Sequence, residues 1–215
     1  MSRRVPQLPE SDVRAILAAN SIQNSPYDGR TCVVAVRGYY LDSIGVKGGN
    51  DRRVWDDAMF MVSPRGVLSF QANTDPNGYR KGHGTGNSKG MAMLKTGVHL
   101  FGTGLHKGRV AFRQCEPFTV IRDGDPPYED CGWHAIDLHS GGVNSTSSLG
   151  CQTVPADTWE VFRKLLYGLL DEFKNPFLKN DRGEKVRSFP YILVDEVLRR
   201  RGELTVSDRY SEEFS

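Results

Sequence analysis

The sequence predicts a mostly β fold, a sandwich or barrel, with an N-terminal helix and one long helix in the C-terminal half. Three observations lead there. Short β-branched and aromatic runs recur at close spacing, separated by Gly-rich or charged turns. Only Pro155 to Asn175 carries a long apolar stripe of helical period. No internal repeat or composition break divides the 215 residues, a length that suits one sizeable core. The expected organisation is therefore a single domain over 1–215, with a helical arm over 1–25 and a flexible tail over 205–215.

In chain order, "PESDVRAILAANS" reads as a first helix capped by Ser11, with Val13, Ile16 and Leu17 on one face. Thr31 to Leu41 is β-branched and aromatic, hence a strand. Ala58 to Asn73 reads as a hairpin around the turn Ser63-Pro64-Arg65-Gly66. Thr74 to Ala92, rich in Gly, Asn and Lys, reads as a long ordered loop or flap. Short strands follow in "GVHLFGTG", "GRVAFRQ", "FTVIRD" and "WHAIDLH". Pro155 opens the long helix, whose stripe is Trp159, Phe162, Leu165, Leu166, Leu169, Leu170 and Phe173. "FPYILVDEVL" is a late strand, and Arg199-Arg200-Arg201 a solvated helix end or strand edge.

The 28 basic and 26 acidic residues are spread along the chain for a net charge of +2, so nothing suggests a nucleic-acid partner. No run approaches the roughly 18 apolar residues of a membrane span, so no membrane insertion is expected. The first residues lack the apolar stretch of a signal peptide, so synthesis in the cytoplasm is expected. Cys32, Cys115, Cys131 and Cys151 show no CxxC or zinc-finger spacing, and a disulfide framework is not expected.

The chemistry concentrates in "WHAIDLHSGGVNSTSSLGCQT", Trp133 to Thr153. A thiol attacks as thiolate, which a neighbouring imidazole or backbone N–H groups can favour. The oxyanion formed needs donors, often N–H groups of a tight turn. Gly150 would let a substrate carbonyl approach that turn, and Ser147 and Ser148 can brace it. His139, ending an apparent strand, would be rigidly placed beside Cys151. The bland alternative, a buried structural thiol, stands beside this reading.

A strand, His-Ser-Gly, a polar loop and then Ser-x-Gly-Cys resembles the catalytic signature of the L,D-transpeptidase (YkuD-type) family. The likeness is specific over Ile136 to Val154, and the β-rich pattern agrees with that family's fold. The stretches "RGYYLDSIG", "FQANTDPNGYR", "GLHKG" and "NSTSSLGCQT" look like those of phage-encoded proteins that carry this motif. The resemblance implies Cys151 as nucleophile and His139 as its base, oriented by the backbone carbonyl of Ser140. It implies Gly150 and Cys151 as oxyanion donors and Ser148 as the brace of the turn. Bacterial peptidoglycan stem peptides would be the substrate, with no cofactor, no metal and a monomeric protein.

The departures are Leu149, where the family commonly has His or Lys, and Gln152-Thr153, where an Arg typically follows the cysteine by two positions. The His-to-Cys loop is also shorter than in many members. These departures leave open whether water or an amine accepts the acyl group. The phage-like texture and the missing leader favour a lytic, endolysin-like hydrolase acting on the wall after release or delivery. Cross-linking of stems, a non-catalytic wall-binding phage component and a zinc peptidase are the rivals.

Other polar residues complete the candidate set as substrate-facing groups. Strand parity places His134 and His139 on opposite faces and Asp137 on the face of His139, where it either orients the ring or faces solvent. Arg80, with Lys81, could bind stem carboxylates, and His106 is either substrate-facing or a turn residue. Leu149 and Gln152 flank the nucleophile. His83, His99 and His106 keep a zinc reading alive, although no HExxH or HxxxH is present. "GHGTGNSKG" lacks phosphate-loop spacing. Trp55 and Tyr39-Tyr40 read as core aromatics before sugar platforms.

Overall fold

The computed structural model describes residues 4–205; the polar tail expected over 205–215 lies almost wholly outside them. In chain order the elements are α1 (Glu10–Ala19), β1 (Cys32–Arg37), β2 (Asp57–Ser63), β3 (Gly66–Ala72), β4 (Ala92–Leu94) and β5 (Gly97–His106). Then come β6 (Arg109–Gln114), β7 (Phe118–Arg122), β8 (Tyr128–Gly132), β9 (Leu138–Ser140) and β10 (Gln152–Val154). The chain continues through α2 (Ala156–Glu172), β11 (Phe177–Lys179), β12 (Lys185–Asp195) and α3 (Glu196–Arg200). The fold is mostly β, as the pattern predicts. No helix among the described residues is long and apolar enough to cross a membrane.

The main sheet runs β10-β9-β6-β5-β12-β1-β2-β3, with β11 paired to β12. Its two ends meet. Asn73, just past β3, exchanges both backbone hydrogen bonds with Thr153 of β10, at 2.9 and 2.8 Å. The sheet is thus a nearly closed barrel. A smaller sheet, β4-β7-β8, lies beside it. Two pairings are parallel, β1 with β12 and β9 with β10.

The central strands are mostly apolar because both faces are covered. Val33, Ala35, Met59, Met61, Phe189, Tyr191 and Leu193 join α2 in one core. Their alternating neighbours Val34, Val36, Phe60, Val62, Ile192 and Val194 join Val13 and Ile16 of α1 in a second core. The period of two is the strand pleat itself. On α2, Trp159, Phe162, Leu166, Leu169 and Leu170 are buried and Phe173 packs partly against them, while Leu165 faces out.

Several local expectations are corrected. Ser11 does not cap α1: the helix begins at Glu10, and the Pro9 carbonyl receives Asp12 and Val13 N–H. The late strand stops at Asp195, whose side chain accepts from Val197 N–H and caps α3. Arg199 and Arg200 form ion pairs with Glu196 in that helix. "WHAIDLH" is not one strand. The chain turns at Ala135 with φ +52°. The Gln114 side-chain oxygen accepts from both His134 and Ile136 N–H, at 2.9 Å each. Those backbone donors go to a side chain instead of a neighbouring strand, so only Leu138–Ser140 pairs as β9.

A buried polar network braces the closing corner. Arg37 donates to Thr74 Oγ1, to the carbonyls of Thr74 and Leu94, and pairs with Asp75 at 3.1 Å. The Asp57 carboxylate receives Gly38 and Thr74 N–H. Burial and the nearby Asp75 and Asp56 charges hold Asp57 well above the usual carboxylate range. Burial raises Asp56 to about 7. Its folded value exceeds its ordinary 3.8, so the folded protein binds this proton more tightly than the unfolded chain. That contribution to stability is complete below the unfolded value and is lost as pH rises through about 7. Asp56→Asn is therefore expected to leave Tm nearly unchanged at pH ~4 and to raise it at pH ~8. A lower Tm at the higher pH would refute the assignment.

Candidate active site

Cys151 and His139 meet because β9 and β10 run parallel. Their register sets Thr153 opposite His139 and Gln152 opposite Leu138. The loop Gly141 to Gly150 must carry the chain back to the start of β9, which delivers Cys151 beside the turn at Ala135. Cys151 is 8% exposed, and its Sγ lies 3.7 Å from the Ala135 carbonyl oxygen.

The loop is held from within. Ser148 Oγ donates to the Cys151 carbonyl at 2.7 Å and accepts from Gly150 N–H at 3.0 Å. Asn77 in the flap donates its N–H to the Ser148 carbonyl and receives the Thr146 hydroxyl. Gly150 has φ +136°, and a Cβ there would sit 2.4 Å from the Ala92 carbonyl oxygen. Glycine is therefore required by the fold as well as by any substrate approach. Its N–H is taken by Ser148, so of the two expected oxyanion donors only the Cys151 N–H has no partner among the described residues. Gly141 leaves room for the Trp55 ring, 2.3 Å from where a Cβ would lie, which places Trp55 under the loop.

His139 Nδ1 lies 2.7 Å from the Ser140 carbonyl oxygen. A carbonyl only accepts, so Nδ1 carries the proton and Nε2 offers its lone pair. His106, the last residue of β5, stacks on His139 with ring centroids 4.3 Å apart and planes 9° from parallel. Its Nδ1 pairs with Asp137 Oδ2 at 2.7 Å. Arg113 Nη1 donates to the same oxygen at 3.2 Å, and its other nitrogens grip Asp181. The Asp137 side chain is only 1% exposed, and a carboxylate so deep requires such partners. One ring nitrogen of His106, one of His139 and Cys151 Sγ all lie within 4.8 Å of one another.

The structure thus gathers Cys151, His139, Ser140, Ser148, Gly150, His106 and Asp137. Asp137 shares the side of His139 but orients His106, which stacks on that ring, because the His139 Nδ1 is already taken by the Ser140 carbonyl. Leu149 is 73% exposed, two residues before Cys151. His134 lies elsewhere, against Arg122 and the Asp130 carbonyl. Gln152 points inward, donating to the Thr74 and Gly150 carbonyls and accepting the Tyr191 hydroxyl. Arg80 is tied to the flap backbone at Lys89 and, through its own N–H, to Asp123. His83 stacks on Tyr128, and His99 bonds the Lys95 carbonyl, so neither joins the cluster. The sequence reading missed Arg113 and Asp181. The available signal was an arginine directly after the apolar run Val110-Ala111-Phe112, on a strand, since a charge in such a place is normally paired.

Burial pushes the Cys151 thiol up to about 12. Burial also lowers His139, against the pull of its Ser140 hydrogen bond. Both shifts favour the neutral forms, so the resting pair is thiol and imidazole rather than thiolate and imidazolium. Iodoacetamide is accordingly expected to label the exposed Cys131 before Cys151 in the free protein; faster labelling of Cys151 would reveal a preformed ion pair. Gly150→Ala is expected to cost about 1–3 kcal/mol in urea unfolding, from its positive φ and the Ala92 carbonyl.

Comparison with protein-family models, curated proteins and solved structures finds no match, so the geometry of this cluster is what any functional reading must rest on.

Proposed function

We propose that this chain is a peptidoglycan-active cysteine enzyme of the L,D-transpeptidase type that cleaves stem peptides through a thioester on Cys151. The observation that carries the reading is the Cys151 thiol beside a His139 ring whose Nδ1 is held by the Ser140 carbonyl at 2.7 Å. That is the orientation implied by the motif from Ile136 to Val154.

In this mechanism His139 Nε2 takes the thiol proton as Cys151 Sγ attacks the peptide carbonyl. The Cys151 N–H faces the developing oxyanion. His139 returns the proton to the departing amine, and the acyl group stays on sulfur. Water, deprotonated by the same imidazole, then releases it. No cofactor enters these steps. General-base activation suits a pair that rests neutral, because charge develops only when substrate has excluded water.

Water is favoured over an amine as acceptor by the residues after the nucleophile. Thr153 is buried in the barrel seam, where it bonds Asn73. The Gln152 amide is occupied inside. Neither supplies the cation that would grip a second stem, and Leu149 gives the entrance an apolar shoulder. The protein would meet its substrate in the wall after release or delivery.

Mass spectrometry of muropeptides, after purified sacculi are incubated with wild type and with Cys151→Ala, tests the reading. Shortened or uncrosslinked stems that vanish in the variant are expected. New cross-links would establish transpeptidation instead. No change with either protein would favour a wall-binding role, and equal cleavage by both would remove Cys151 from the mechanism.

A further inference from the structure

We infer that His106, His139 and Cys151 form a three-ligand binding site for a borderline divalent cation of the zinc class. Three features carry this. The donor set is two imidazoles and a sulfur, with all three ligand atoms within 4.8 Å of one another, a combination that suits zinc and its neighbours rather than magnesium or calcium. Each imidazole already has the outer partner that metal-bound histidines use. Nδ1 of His106 is held by the Asp137 carboxylate and Nδ1 of His139 by the Ser140 carbonyl, both at 2.7 Å. Those bonds fix the tautomer and leave Nε2 of each ring as the available donor. Finally, the Asp137 carboxylate is itself anchored by Arg113, which Asp181 neutralises on its other side.

The site has a way in and an open position. The His106 side chain is 23% exposed while the sulfur lies deeper. A cation entering from the imidazole side would keep solvent as its fourth ligand. Bond lengths of about 2.0–2.3 Å put tetrahedral ligands roughly 3.5 Å apart. The cluster must therefore contract by about an ångström, and the rings must tilt out of their stack so that parallel lone pairs converge. The reaction is a proton-for-metal exchange. The Cys151 S–H bond breaks, the proton leaves to solvent, and a metal–sulfur bond forms. Each imidazole binds through the Nε2 lone pair of its neutral form, and no electrons are transferred.

Binding itself does not depend on the proposed peptidase reading. Its consequence does: the sulfur lone pair that would attack a stem peptide is the one bound to metal, so occupancy and acyl transfer exclude each other.

Co2+ is the probe, because a cobalt–thiolate bond gives a sulfur-to-metal charge-transfer absorption that needs no enzyme assay. Wild type and Cys131→Ser should both develop the band, and excess Zn2+ should bleach it. Cys151→Ser should lose it. His106→Gln should weaken Co2+ binding at least about tenfold. His139→Gln should do the same and keeps the test decisive if His106→Gln does not fold. The inference is overturned if wild type gives no band, if Cys151→Ser retains it, or if both folded histidine variants bind Co2+ as wild type does. A muropeptide experiment that fails leaves these spectra unaffected, so the two ideas stand or fall separately.

Discussion

The exchange of two backbone hydrogen bonds between Asn73 and Thr153 closes the barrel, and the site depends on it. Thr153 has β9 on one side, in register with His139, and the end of β3 on the other. Without that second neighbour, β10 would be a three-residue edge strand, held only by β9 and its connection to α2. Cys151 immediately precedes it. The corner that makes the closure is correspondingly rich in buried polar groups. Arg37, Asp57, Thr74 and Asp75 form one network there, and Gln152 joins it through the Thr74 carbonyl. Such a network specifies one arrangement where an apolar corner could slide, because each misplaced donor or acceptor would be left unpaired in a low dielectric.

The same principle organises the candidate site. Asp181, Arg113, Asp137 and His106 form a line of alternating partners that ends against the His139 ring. The charges lie behind the imidazoles. Cys151 and His139, by contrast, are pushed toward their neutral forms by burial: a thiol raised to about 12 and a histidine lowered from its ordinary value. A site of this kind separates orientation from reactivity. An ion pair fixes where the His106 ring stands and a backbone carbonyl fixes His139, while the proposed proton transfer would run between two uncharged groups.

The loop between His139 and Cys151 shows how local and distant constraints combine. Ser148 bridges Gly150 and Cys151 within the loop, an interaction whose partners are adjacent in sequence. The Ala92 carbonyl under Gly150 and Asn77 against Ser148 come from the flap, and the Trp55 ring under Gly141 from the segment before β2. The flap from Thr74 to Ala92 is thus a supporting wall of the loop, which explains its length without regular strands.

What the sequence alone determined is what period and composition encode. The strands of β1, β2 and β3, the turn between the last two, and α2 with its buried stripe follow from side-chain pattern, because pleat and helical turn impose that pattern locally. So do Ser148 bracing its own turn and the placing of His139, at the end of a strand, beside the loop that ends in Cys151. Tertiary structure alone decided the rest. Whether Trp133 to His139 forms a strand depended on Gln114, a residue from β6 that takes its backbone donors. Which histidine Asp137 orients depended on how β5 lies beside that segment, and it chose His106. Whether Gln152 faces substrate or core depended on Thr74 and Tyr191. Each outcome rests on a hydrogen bond between residues far apart in the chain. Periodicity reports which face of an element is apolar, but it carries no information about which distant polar group will satisfy a particular donor.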